Sequence, residues 1–321
     1  MFGMKGNGEM IELASYAKIN LSLDVTGVLD SGMHQVDMVM QQISLHDSVA
    51  VEYEENAERE KGDIDISLKT SKSYLPADER NTAFKAALLM AEKYGSGIPG
   101  GTVRIDIVKR IPVAAGMAGG SGNGAAVLHA LNVLWNLRLS LGELCSIGSE
   151  IGSDVPFCVM GQAACNFVLP KYLRKDALAA SCARATGTGT DMEPVRGLKK
   201  FVVVAKPKIS VSTGKVYQGI DSCAIGERPD NDALADALAA SDYESACGNF
   251  INVLENYTLN AYPEVRVLKE KMKEISDGRP VLMSGSGPTV YGICDNLEQA
   301  KKNSDILRKQ GYESYWTKTT R

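Results

Sequence analysis

Apolar and polar positions alternate near the start of the chain. Between Glu12 and Val25, Ile19, Leu21, Leu23 and Val25 fall on one side of an extended segment, and Lys18, Asn20, Ser22 and Asp24 on the other. A period of two marks a strand with one buried face. On pattern alone the polar side reads as a solvated outer face. A turn around Asp30-Ser31-Gly32 follows, then strands over 36–45 and 48–53, and a charged stretch over 54–63 that reads as a loop. The period then lengthens. Ala83, Ala86, Ala87 and Met90 recur as on a helix over 81–94, which the Gly/Pro-rich stretch 95–101 ends before a strand over 102–108.

That strand leads through Ile111-Pro112-Val113 into a run with glycine at 116, 119, 120, 122 and 124. A helix begins at once, with Val127, Leu128, Leu131, Leu134 and Trp135 at three- and four-residue spacing. Ser140 and Glu143 form a capping-box pattern that opens a second helix, and Gly152 stops it. Asp154 precedes Val155-Pro156, as an N-cap precedes a helix with proline in its first turn. Beyond residue 165 the pattern changes. A short buried strand over 201–205 ends at Pro207; a polar break over 228–232 precedes Ala-rich helical segments; a strand, small-residue turn and strand fill 281–292. A chain of 321 residues is long for one core. We expect an α/β protein of the α+β type with domains over 1–165 and 166–321, and with 1–10 as a loose tail.

The glycine run carries the first chemical signal. Glycine lets backbone N–H groups approach an anion without a Cβ in the way. The first N–H groups of the following helix have no internal partner, and the helix dipole favours negative charge there. The segment reads as a phosphate cradle, against the plainer reading of a tight strand-to-helix connection. It is not a Walker A loop, because no Lys follows the glycines. Gly120-Ser-Gly122-Asn-Gly-Ala125 fits a loose dinucleotide pattern, but Glu143 falls at a helix start and not at the strand end where a ribose-binding acid belongs.

Composition removes other classes. The net charge of −4, from 35 basic and 39 acidic residues without long runs of one sign, disfavours nucleic acid. No window approaches the length of a membrane span, and the first ten residues lack the apolar core of a signal peptide. Seven cysteines (145, 158, 165, 182, 223, 247, 294) without a C-x-x-C argue against disulfides and a thiolate zinc site, and for a reducing cytoplasmic setting. His34, His46 and His129 are scattered, so any metal is expected to be a hard cation held by oxygen.

Three segments together resemble the motifs of the GHMP small-molecule kinases: Ala17-Lys18-Ile19-Asn20-Leu21, the loop from Ile111 to Ser121, and Gly285-Ser286-Gly287. The segments from Ala17 to Leu45, Ile151-Gly-Ser-Asp154-Val-Pro-Phe and Lys206 to Thr213 extend the likeness to the branch that phosphorylates a cytidyl diphosphate-linked methylerythritol in the non-mevalonate isoprenoid route. The likeness covers most of the chain from about residue 11.

The resemblance implies a ribosomal-S5-like ATP-binding domain, a ferredoxin-like C-terminal domain, and a second substrate in the cleft between the halves. ATP and Mg2+ are implied, with no particular metal ligands. Lys18 and Asp154 correspond to the catalytic pair. Pro112, Ala114, Gly116, Ala118, Gly119, Gly120, Ser121, Gly122 and Asn123 correspond to the nucleotide loop, with Asn81 and Lys109 near the adenine. Asn20, His34, Thr213, Tyr217, Gly285 and Ser286 fall where the substrate is held. The partner is a small molecule, with neither nucleic acid nor membrane, and a homodimer is left open. The chain departs from the pattern at two points. Met33 stands where a base-stacking tyrosine is usual, which keeps another small alcohol open as acceptor. Gly122 stands where a second serine is usual, which keeps open an ATP-binding sensor without catalysis.

Overall fold

A computed structural model describes residues 9–320, so residues 1–8 of the expected tail lie outside the described residues. Glu9 and Met10 already belong to the first strand. The chain packs into two compact units. One takes the chain up to Tyr16, His46–Arg110 and Ala118–Ala180; the other takes Ala17–Leu45, Ile111–Met117 and the chain from Ser181 onward. The single cut expected near residue 165 is therefore not how the chain packs. The unit boundaries fall inside β1 (Glu9–Val28) and β2 (His34–Glu55). The two strands expected over 36–45 and 48–53 are one, because His46 and Asp47 continue the extended backbone.

In the first unit, β4 (Gly101–Val108) lies between two partners. The later half of β2 runs antiparallel to it, with Ser48 opposite Val108, and β3 (Ile64–Thr70) runs parallel, with Ile64 opposite Gly101. α1 (Thr82–Tyr94), α2 (Gly119–Leu134), α3 (Leu141–Ile151), α4 (Val155–Cys165) and the short α5 (Lys171–Arg174) pack with these strands around a core that includes Ile11, Val51, Ile105, Met90, Leu128 and Val159. Local chemistry sets the helix ends. Asn81 caps α1 by accepting from Ala83 N at 3.0 Å, and the Ser140–Glu143 capping box closes reciprocally at the start of α3.

In the second unit, the earlier half of β2 pairs antiparallel with β5 (Cys182–Thr186), Met38 opposite Ala185, and β5 pairs with β6 (Asp191–Pro194). A four-stranded antiparallel sheet follows. Its strands are β7 (Phe201–Lys206), β8 (Val281–Met283), β9 (Val290–Cys294) and β10 (Glu313–Lys318), in the order β10-β7-β9-β8. Helices α6 (Thr213–Ile220), α7 (Asn231–Ala240), α8 (Tyr243–Cys247), α9 (Glu255–Ala261) and α10 (Pro263–Glu274) fall between β7 and β8, and α11 (Leu297–Lys309) between β9 and β10. That succession and strand order are those of a ferredoxin-like domain. The small-residue turn at 284–289 joins β8 to β9.

Candidate active site

The polar face of β1 is not solvated. Lys18 is 4% exposed, Asn20 and Ser22 are fully buried, and Asp24 is 8% exposed. Burying an ammonium and an amide is costly unless each is paired, and the partners within the second unit show how this is managed. Asn20 Oδ1 accepts from Lys18 Nζ at 2.6 Å and from Gly285 N at 3.0 Å, while its Nδ2 lies 3.3 Å from Met38 Sδ. Tyr291 donates its hydroxyl to Asn20 O at 2.8 Å; burial pushes that phenol well above its usual range, so it stays a donor. Farther along the strand, Ser22 meets Asn231, and Asp24 pairs with Arg228. Burial still raises the Asp24 carboxyl above the ordinary value, with Arg228 opposing.

The three motifs meet on this face. Lys18 N donates to Met117 O at 3.1 Å, and Ser284 Oγ to Gly116 O at 2.9 Å. Gly116 has φ +69°, and a Cβ there would stand 2.4 Å from Ser284 O and 2.8 Å from Gly287 O, so only glycine fits. Gly285, at φ +57°, brings its Cα within reach of Lys18: a Cβ there would lie 3.6 Å from Nζ. Asn252 Nδ2 donates to Met283 O and Gly285 O, clamping the turn from behind. Nothing in its sequence surroundings singles out Asn252.

Four of the substrate positions read from the sequence gather around α6. Thr213 Oγ1 lies 3.0 Å from the buried Ser286 hydroxyl. One turn on, the Tyr217 ring lies 5.0 Å from the His34 ring, tilted by 49°. Met33, beside His34, is 54% exposed.

The first unit holds the other half of the glycine segment. Ala114 and Ala118 share the left-handed region with Gly116, at φ 50° and 55°. Ala118 is the N-cap of α2, which begins at Gly119, so the glycines after 118 are helical and not in a preceding loop. Alanine offers no side chain to cap the helix, so no side chain meets the first N–H groups of α2 from the cap position. Ser121 is half-buried and Asn123 is 4% exposed. Two of the glycines serve packing instead. A Cβ at Gly122 would meet Ser15 Oγ at 2.6 Å, and one at Gly124 would meet Thr82 Cγ2 at 3.0 Å. Pro112 is buried, and Gly120 is exposed.

Asp154 stands at the N-cap of α4 but makes no capping hydrogen bond, and its backbone is helical (φ −81°, ψ −10°). The plain capping role therefore does not account for this carboxylate. Asn81 spends both ends of its amide locally, capping α1 and donating to Pro76 O at 2.8 Å. Lys109 pairs with Asp47, both side chains nearly or wholly buried, and Asp47 also accepts from Arg110 N at 2.7 Å. Among the described residues no cluster of three or more His, Cys, Asp or Glu side chains could hold a metal, and no helix is long and apolar enough to cross a membrane.

Comparison with known proteins places the chain in a class first. The models for the GHMP kinases N terminal domain and the GHMP kinases C terminal match residues 81–162 and 227–313. The 4-diphosphocytidyl-2-C-methyl-D-erythritol kinase of Alkaliphilus metalliredigens is 42% identical over 306 residues, covering 94% of this chain and 95% of that one. That of Bacillus pumilus is 43% identical, covering 91% of each. A crystal structure of 4-(cytidine 5'-diphospho)-2C-methyl-D-erythritol kinase superposes with a TM-score of 0.75 at 27% identity, over 97% of this chain and all of the other. A homoserine kinase from Cytophaga hutchinsonii, at 15% identity and a TM-score of 0.67 over 100% of this chain and 96% of that one, shares the fold alone. The chain belongs to the 4-diphosphocytidyl-2-C-methyl-D-erythritol kinase family.

Proposed function

We propose that this kinase transfers the γ-phosphoryl group of ATP to the 2-hydroxyl of 4-diphosphocytidyl-2-C-methyl-D-erythritol, a step in making isoprenoid precursors. The observation that carries the reading is the meeting of Lys18, Asn20, the Gly116 segment and the Gly285 turn on the buried polar face of β1. A phosphoryl-transfer enzyme works mainly by positioning and by neutralising charge. Lys18, held by Asn20, supplies a fixed ammonium for the negative charge of the transferring group. Asp154 is the proposed acceptor of the hydroxyl proton. The uncapped first turn of α2, with the Ser121 hydroxyl, suits the nucleotide phosphates.

Ser121, in the first turn of α2, is the side-chain oxygen that would hold Mg2+ brought with ATP, and the ion would supply further charge neutralisation. Thr213, Tyr217 and His34 are the proposed contacts to the cytidyl end. A cytoplasmic setting suits seven cysteines with no C-x-x-C among them. The test is ADP release by the folded protein with ATP, Mg2+ and this substrate, beside a panel of mevalonate, homoserine and sugars. Turnover confined to the cytidyl substrate supports the reading; turnover of another alcohol, or none, overturns it.

A further inference from the structure

We propose that Asp221 is a specificity-determining residue: by holding Nε2 of His34 it presents Nδ1 as a hydrogen-bond acceptor, which selects a 4-amino over a 4-oxo pyrimidine. The inference rests on the proposed cytidyl substrate and adds a residue and a chemical reason for the choice of base.

The geometry is local to the second unit. His34 Nε2 and Asp221 Oδ1 are 2.8 Å apart, with the His34 side chain 11% exposed. Asp221 is the C-cap of α6, in helical backbone (φ −60°, ψ −26°). Thr213, Tyr217 and Asp221 are therefore spaced four apart on one helical face. The first touches Ser286, and the second and third touch His34 from two sides. Tyr217 packs against the ring at a tilt, and Asp221 holds it by one nitrogen.

An ionised carboxylate only accepts hydrogen bonds, so the nitrogen facing it must carry the proton. In neutral His34 this leaves Nδ1 with a bare lone pair. Cytosine presents an exocyclic amino group, a donor, where a 4-oxo pyrimidine presents a carbonyl, an acceptor. The first pairs with Nδ1. The second sets lone pair against lone pair and leaves two acceptors unpaired in a half-buried site. A site built to hydrogen-bond one group rejects the analogue lacking it far more strongly than a site built on shape alone. Met33 offers no ring face at this end, so discrimination falls on the hydrogen bond.

The experiment compares wild type, Asp221→Ala and Asp221→Glu on the cytidyl substrate and on its uridyl analogue. In Asp221→Ala the KM for the cytidyl substrate should rise at least tenfold, with kcat and the ATP KM within about twofold. The cytidyl-to-uridyl ratio of kcat/KM should fall at least tenfold, and Asp221→Glu should restore part of it. An unchanged ratio, or equal losses on both substrates, overturns the inference. A wild type inactive on the cytidyl substrate would instead refute the proposed function. The tautomer is tested without turnover by 15N NMR of the imidazole in the ligand-free protein. A protonated Nε2 and bare Nδ1 in wild type, lost in Asp221→Ala, support the inference; the opposite tautomer in wild type ends it.

Discussion

Gly122 and Ser15 occupy complementary space: the Ser15 hydroxyl stands 2.6 Å from where a Cβ on Gly122 would be. Ser15 is fully buried, and its Oγ has no hydrogen-bond partner among the described residues. Gln162 Nε2 closes the same spot by donating to Gly122 O at 2.7 Å. The contact gives Gly122 a packing reason for departing from the usual serine, and it no longer argues for a sensor without catalysis.

A sign change follows for Gly122→Ala. In an unobstructed helix the change would stabilise by about 1 kcal/mol. Here the methyl meets Ser15 Oγ, and overpacking of this kind costs about 1–3 kcal/mol. In a Ser15→Ala background the obstruction is gone, and the same substitution should stabilise. Urea unfolding of the four proteins of the cycle measures the coupling. A stabilising Gly122→Ala in the presence of Ser15 would show that α2 does not press on β1 there.

Asp154 should matter to turnover. Asp154→Ala should lower kcat by about 10²–10⁴-fold, the range of a lost general base, with little change in the KM for ATP. Steady-state kinetics on a variant whose circular dichroism matches wild type decides it. Near wild-type kcat would remove Asp154 from the chemistry.

Lys109 is the contrasting case. The resemblance places it near the adenine, but the structure spends its ammonium on buried Asp47. Removing one partner of a buried ion pair costs about 3–5 kcal/mol, because the other charge is stranded. Lys109→Met should lose that stability in urea, while the folded fraction keeps an ATP KM within about threefold of wild type. Full stability with a large rise in ATP KM would return Lys109 to the nucleotide site.

These cases show what a sequence makes visible. The two-residue period of β1, the capping box at Ser140 and the strand–turn–strand at 281–292 are set by neighbours in the chain, and all three were legible. The burial of Lys18, Asn20, Ser22 and Asp24 was not, because their cover comes from segments 90 to 270 residues away, such as Met117, Asn231 and Gly285. The glycine run was legible as a cluster but not as a division of labour: Gly116 answers to backbone geometry and the Ser284 turn, Gly122 and Gly124 to helix packing. Asp221, four residues beyond Tyr217, carries no signal in the sequence, because a single acid at a helix end means nothing until His34 stands beside it. The packed units do not coincide with a division near residue 165, because β1 and β2 each contribute to both.

His129 predicts a pH dependence of stability. It is fully buried in α2, with Nε2 2.9 Å from Val159 O. Burial lowers its pKa from 6.5 to about 4, with the Val159 contact opposing. The unfolded chain therefore takes up a proton below pH 6.5 that the folded protein refuses until about pH 4, so stability rises with pH across this window. Its contribution is complete above pH 6.5, is lost as the pH falls toward 4, and amounts to about 3 kcal/mol over the interval. His129→Gln is close in volume, keeps a donor for Val159 O and removes the titration. Unfolding free energies at pH 7.5 and 4.5 should therefore differ less in the variant than in wild type by a large part of that amount. Parallel pH slopes for the two proteins would mean that His129 takes up its proton without unfolding the chain.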